Sequence, residues 1–208
     1  MSDKLPTLGR TKSSLTQKLE AATGKQLAPS RGILSAGNRA VMFAIDCSSS
    51  MSGSKIGFAR SGAASFARTA SERGYAVGVT VFDSAARTLC SPVRAVAEVE
   101  QILWAIDADG STNLALGIAL AVQALPSNGE RVICIVTDGV PDDRDAAIEA
   151  ARSAKRQGIE IMAIGTDDAD KAFLDLLVTK KELASKVDSG KLSIAIGDMA
   201  KLLALPKK

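Results

Sequence analysis

Four continuous apolar runs, each followed by a stretch with helical periodicity, limit what this 208-residue chain can fold into. Such runs are typical of strands that are buried on both faces of a sheet. They cover residues 40–45, 75–82, 131–137 and 159–164. Because the strands alternate with helices of about 12–18 residues, we predict an α/β fold with a mostly parallel β-sheet and helices on both faces. Right-handed crossovers then make the sheet doubly wound.

Weaker patterns predict the remaining elements. Residues 87–89 follow a turn and are predicted to form one short antiparallel edge strand, and residues 192–196 are predicted to form a last strand. The single tryptophan, Trp104, is interpreted as a core residue. Apolar residues spaced by three and four predict the helices. These helices cover residues 56–70, 93–104, 113–125, 143–157 and 169–178.

The composition excludes several classes of function. The chain has no histidine, which rules out Ser-His-Asp and Cys-His catalysis and histidine-ligated zinc. Its three cysteines lack the CxxC spacing and are odd in number, which indicates a reducing compartment. No apolar segment reaches the ~18 residues of a membrane span, and the first residues lack the apolar core of a signal peptide. We therefore expect a cytoplasmic protein without a membrane partner.

The first part of the chain differs in charge from the rest. Residues 1–39 carry seven basic and two acidic side chains, although the whole chain has a net charge of only +3. Residues 1–38 are predicted to be a basic extension, partly ordered or draped on a single domain of residues 39–208. Such an extension could be a solvated leader or could contact an acidic surface. A nucleic-acid partner is not expected.

Polar side chains follow the predicted strands at the edge where an α/β sheet binds its ligands. Asp46, Ser48 and Ser50 alternate with period two, so they point the same way if the chain stays extended. Thr112 and Asp138 follow in later loops. Carboxylates and hydroxyls are hard oxygen ligands that suit Mg²⁺ or Mn²⁺. Two carboxylates only balance a dication, which would remain an electrophile able to bind a further carboxylate.

These residues resemble a known family. The string Asp46-x-Ser48-x-Ser50-Met-Ser-Gly, with the Gly-Ser-Thr112-Asn loop and Thr-Asp138-Gly, is similar to the metal-ion-dependent adhesion site of von Willebrand factor type A domains. The resemblance covers about residues 38–205. It implies that Ser48, Ser50 and Thr112 contact Mg²⁺ directly, whereas Asp46 and Asp138 act directly or through water.

The resemblance also implies what the protein does. A glutamate or aspartate from a partner protein would complete the metal shell, so the domain would be a non-enzymatic interaction module. Intracellular bacterial-type members often serve as scaffolds beside AAA-type ATPases, kinases or phosphatases, which are therefore the expected partners.

Two alternatives stay open. Haloacid-dehalogenase-type phosphatases also use an aspartate after the first strand, and Asp46, Thr112, Lys155 and Asp167 or Asp168 follow their order. Those enzymes usually have a second aspartate two residues after the nucleophile, where this chain has Ser48. The second alternative is a metal-independent scaffold, in which Thr112 caps a helix and Asp138 forms an Asp-Gly turn. No glycine-rich phosphate loop supports a nucleotide binder.

Overall fold

A computed structural model describes residues 39–139, 141–166 and 168–205. In this part of the chain six strands form one sheet in the order β3-β2-β1-β4-β5-β6. Strand β3 is antiparallel to β2, and all other neighbours are parallel. The strands are β1 (Arg39–Asp46), β2 (Ala76–Phe82), β3 (Ala86–Val93), β4 (Glu130–Thr137), β5 (Glu160–Thr166) and β6 (Ala184–Val187). The predicted doubly wound α/β fold is confirmed.

The centre of the sheet forms the core because its strands are apolar on both faces. All eight residues of β1 are buried, since β2 and β4 flank it and helices cover both sides. Phe43 lies beside Val79 of β2 and Cys134 of β4, and its ring meets that of Phe66 edge to face at 4.7 Å. Burying one such ring contributes about 1.5–3 kcal/mol.

Six α-helices in the described residues cover the sheet. They are α1 (Ser54–Glu72), α2 (Val96–Trp104), α3 (Leu114–Ala124), α4 (Arg144–Arg156), α5 (Lys171–Leu177) and α6 (Leu192–Met199). Helix α1 packs against α2 and α6, whereas α3 packs against α4. The strand order runs outward from β1 in both directions, so right-handed crossovers place these two groups on opposite faces.

The structure corrects three details of the sequence prediction. Residues 192–196 belong to helix α6 and not to a strand, because Leu192, Ile196 and Met199 are spaced for one buried helical stripe. The last strand is instead the four-residue β6, which is too short and too polar to show a pattern. Trp104 is 59% exposed, because the buried side of α2 is formed by Val99 and Leu103.

The parallel strands β1, β2, β4 and β5 end at the same edge of the sheet. Their last residues are Asp46, Phe82, Thr137 and Thr166. The loops that follow therefore meet above this edge, which we call the carboxyl edge. The predicted basic extension of residues 1–38 lies outside the described residues. Among the described residues, no helix is both long and apolar enough to cross a membrane.

Candidate metal centre

Three loops meet at the carboxyl edge, and backbone hydrogen bonds join them. The amide of Ser49 donates to the carbonyl of Gly110 at 3.0 Å, which ties the first loop to the second. The amide of Asp142 donates to the carbonyl of Thr112 at 3.0 Å, which ties the third loop to the second. In the described residues, the loops comprise residues 47–53 after β1, residues 105–113 before α3, and residues 138–139 and 141–143 after β4.

Asp46 is the last residue of β1, and its side chain is fully buried. One carboxylate oxygen accepts a hydrogen bond from the amide of Ser48 at 2.9 Å. The other accepts from the hydroxyl of Thr137, the last residue of β4, at 2.5 Å. Burial raises the pKa of Asp46, and the hydrogen bonds from Ser48 and Thr137 offset this only in part. Asp46 is thus a buried acid whose negative charge is only partly compensated by its hydrogen bonds.

Ser48 and Ser50 connect the first loop to the third. Their hydroxyl oxygens are 3.0 Å apart, and the hydroxyl of Ser50 donates to Asp138 Oδ1 at 2.7 Å. The hydroxyl of Ser49 turns away and donates to the carbonyl of Gly110 at 3.1 Å. The alternation expected from the sequence is therefore present in the side chains.

The backbone produces this alternation differently from the expectation. Ser48 is extended, with φ −65° and ψ 163°, but Ser49–Met51 then form a single 3₁₀ turn. The chain turns here because it must enter helix α1, which begins only five residues after Ser49, at Ser54. Met51 anchors the turn in the core, where it is fully buried.

Thr112 faces the same region from the second loop. A methyl group placed on Gly139 would lie 3.7 Å from Ser50 Oγ and 4.0 Å from Thr112 Oγ1, so both hydroxyls lie around one small space beside Gly139. Asn113, and not Thr112, caps helix α3, because its side chain accepts a hydrogen bond from the amide of Leu116. Thr112 is 8% exposed and is held by its own amide, which donates to Asp142.

A lysine that the sequence analysis did not single out also reaches this centre. Lys55 lies in the first turn of α1, and its ammonium contacts Asp138 Oδ2 at 2.5 Å. The same ammonium is 3.8 Å from the exposed carboxylate of Asp168. Asp138 is fully buried and the Lys55 side chain is 20% exposed, so this ion pair is partly shielded from solvent. No short-range pattern connects two residues that are 83 positions apart.

The chemistry of the donors fits a hard divalent cation. The structure brings Asp46, Ser48, Ser50 and Asp138 into one continuous set of contacts, with Thr112 beside them. All are oxygen donors, and two are buried carboxylates. In the described residues no three His, Cys, Asp or Glu side chains cluster for metal binding, so hydroxyls would have to contribute ligands. Such a site suits Mg²⁺ or Mn²⁺ better than softer metals.

The structure does not bring together the residues that the phosphatase alternative requires. Lys155 is at the far end of α4, eleven residues after the helix begins and so roughly 16 Å along its axis. Its ammonium donates to the carbonyls of Leu176 and Val178. Asp168 is near the centre, but Asp167 lies outside the described residues. Lys155, the lysine that the phosphatase alternative assigns to catalysis, is therefore not at the site.

Comparison with solved structures supports the fold. The von Willebrand factor domain of the pilus tip protein Mfa5 from Porphyromonas gingivalis superposes with a TM-score of 0.71 at 14% identity, covering 80% of this chain and 95% of that one. Proximal thread matrix protein 1 of the mussel byssus gives 0.70 at 19% identity, over 80% of this chain and 46% of its own. A structure of the same mussel protein, described as having a zinc-occupied metal-ion-dependent adhesion site, gives 0.66 with the same identity and coverage. At these identities the likeness shows the fold alone.

Comparison of sequences identifies the family. The mouse collagen alpha-5(VI) chain is 38% identical over 65 residues, which is 31% of this chain but only 2% of the collagen. This chain thus spans a small fraction of that relative and under half of the mussel protein. The sequence model of the von Willebrand factor type A domain matches residues 40–196, nearly the whole of the sheet and its helices. The chain belongs to the von Willebrand factor type A domain family.

Proposed function

We propose that this domain captures a partner protein through a divalent metal ion held at the carboxyl edge. The observation that carries the proposal is the continuous set of contacts from buried Asp46 through Ser48 and Ser50 to buried Asp138. The two buried carboxylates carry two negative charges against the one positive charge of Lys55, so the centre favours a further cation. Domains of this family are commonly protein-interaction modules and generally not enzymes.

The five residues would bind the metal in different ways. Ser48, Ser50 and Thr112 would be direct ligands, whereas Asp46 and Asp138 would act directly or through water. A bound Mg²⁺ would supply an electrophilic position for a carboxylate oxygen of the partner. Mn²⁺ has similar ligand preferences and could replace it. The hydrogen bonds that orient Asp46 and tie the loops together would keep these donors in place before the metal arrives.

The partner would be a protein that contributes a glutamate or an aspartate. The mussel protein with a zinc-occupied adhesion site supports metal binding by a related fold. We propose as first candidates the AAA-type ATPases, kinases or phosphatases expected from the resemblance to intracellular family members, and with them a cytoplasmic interaction. The alternative function is a scaffold that binds its partner without a metal ion, and the following experiment distinguishes the two.

Two neighbouring serines provide a matched test. Ser48→Ala removes a hydroxyl of the site, whereas Ser49→Ala removes an exposed hydroxyl that bonds to Gly110. Tagged wild type and both variants are used to capture proteins from cells of the source organism with Mg²⁺, and wild type also with EDTA. We expect one set of proteins with wild type and Ser49→Ala that is lost with Ser48→Ala and with EDTA. The same set in all four samples would refute metal-dependent capture and favour the scaffold.

A further inference from the structure

Lys55 occupies a position that helix electrostatics alone does not favour. It lies in the first turn of α1, where the partial positive charge of the helix end repels a cation. That turn contains no acidic residue, and no side chain caps the helix. A tertiary contact must therefore compensate for the placement. The ammonium of Lys55 lies 2.5 Å from the carboxylate of Asp138, closer than the 3.8 Å to that of Asp168.

The contact divides the two oxygens of Asp138 between different partners. Oδ2 accepts from Lys55, while Oδ1 accepts from Ser50 and faces the hydroxyl cluster. A carboxylate held at both oxygens cannot rotate freely. Lys55 therefore orients the oxygen that faces the proposed metal.

The lysine also changes the charge of the centre. Asp46 and Asp138 would together carry two negative charges, which a divalent ion would neutralise completely. With the ammonium of Lys55 against Asp138, the two buried carboxylates and the ammonium together carry one net negative charge; the carboxylate of Asp168, 3.8 Å from the ammonium, is exposed and screened by solvent. A centre holding a dication would then have one net positive charge. Such a charge favours an anionic group from a partner over a neutral one.

We infer that Lys55 is a specificity-determining residue of the site: it weakens binding of the metal alone and keeps the filled site positive, so that an acidic partner is favoured. This inference rests on the proposed metal site. Removing Lys55 separates its effect on the orientation of Asp138 from its effect on the charge of the centre. If the lysine only orients Asp138, its removal would disorder Asp138 and weaken metal binding. A charge-balancing lysine would, when removed, strengthen it.

The test measures Mn²⁺ binding by calorimetry for wild type and variants at constant pH and salt. Lys55→Gln removes the charge and is expected to bind Mn²⁺ about tenfold more tightly, or ~1.4 kcal/mol. Lys55→Arg keeps the charge and should stay within about twofold of wild type. Asp168→Asn removes only the exposed neighbour of Lys55 and should also stay within about twofold, since exposed charges are screened.

A second readout covers the case in which Lys55→Gln folds poorly. A ligand that binds only the folded state raises the melting temperature, and at a fixed ligand concentration the rise is larger when the ligand binds more tightly. The rise caused by Mn²⁺ should therefore be larger for Lys55→Gln than for wild type.

Each outcome decides between the two proposals. If wild type binds Mn²⁺, Asp46→Ala does not, and Lys55→Gln binds equally or more weakly than wild type, the inference about Lys55 is wrong and the metal site stands. If neither wild type nor Lys55→Gln binds Mn²⁺, both proposals are wrong. If Lys55→Gln binds Mn²⁺ and wild type does not, the result would support the role of Lys55 and refute metal capture by the natural sequence.

Discussion

Replacing Asp46 with asparagine should make the metal-free domain more stable at neutral pH, although the substitution removes a carboxylate from the proposed metal site. The carboxylate is fully buried, and its burial raises its pKa above the ordinary value. A carboxyl group with a raised pKa binds its proton more tightly in the folded state than in the unfolded chain. Its ionised form therefore costs folding free energy at neutral pH.

The size of the effect follows from the contacts of Asp46. An ion buried in a protein loses several kcal/mol of hydration, and each hydrogen bond to a charged group restores about 1.5–3 kcal/mol. The amide and the hydroxyl of Ser48 and the hydroxyl of Thr137 provide such bonds, and the effect of burial on the pKa still outweighs them. Asparagine can serve both partners, because the hydroxyl of Thr137 can rotate and accept. We expect a gain of ~1 kcal/mol, or about 2–4 °C in Tm for a domain of this size.

The assay is urea unfolding in EDTA over a range of pH. The stability that a protonated Asp46 contributes is fully present below its unfolded pKa and is lost as the pH rises through its raised folded pKa. The advantage of Asp46→Asn over wild type should therefore be largest at pH 7 and should shrink towards pH 4. Comparing the two proteins at each pH cancels the titration of the other carboxylates.

A matched control and a clear refutation complete this prediction. Asp107→Asn removes a charge that is 99% exposed and should change the free energy of unfolding by less than about 0.5 kcal/mol. If Asp46→Asn is less stable than wild type at pH 7 in EDTA, the carboxylate is better compensated than the structure indicates. The inference that the centre needs a cation would then lose its basis.

Two further predictions concern packing and reactivity. Gly78→Ala should cost about 1–3 kcal/mol in urea unfolding, because its methyl group would lie 2.9 Å from the carbonyl oxygen of Cys90 and 2.9 Å from the nitrogen of Pro92. Gly57→Ala, with no atom within 4 Å of the added methyl, should instead stabilise by about 0.5–1 kcal/mol; equal effects at the two sites would contradict the packing. Burial raises the pKa of the Cys47 thiol to about 12. Iodoacetamide at pH 8 should therefore label Cys47 only in the unfolded protein, which mass spectrometry would detect. Labelling of Cys47 in the native fold would be inconsistent with this burial.

The fold could be predicted where the sequence has long, uniform patterns. The strands containing Phe43 and Cys134 have apolar residues on both faces, and a doubly wound sheet is the main way to bury such strands. The prediction failed near the end of the chain. There β6 has only four residues, and Leu192 begins a helix whose first turns are also compatible with a strand. Trp104 shows that the size of an apolar side chain does not by itself decide its burial.

The candidate site could be predicted in part, because its side chains follow the ends of strands that share an edge. That rule brought Asp46, Ser50 and Asp138 together from separate parts of the sequence. It could not find Thr137 or Lys55, whose contacts with the two carboxylates depend on tertiary packing. The roles of the five residues as ligands remain predictions.

The most direct test of the central claim is calorimetric titration of the purified domain with Mg²⁺ and Mn²⁺. Thr112→Ala removes a buried hydroxyl beside the centre, and Ser111→Ala removes the adjacent, exposed hydroxyl, which bonds to Asp142. We predict that wild type and Ser111→Ala bind one divalent ion with the same affinity, whereas Thr112→Ala binds at least about tenfold more weakly. Absence of binding by wild type, or equal affinity in all three proteins, would contradict the claim that these oxygen atoms form a metal site.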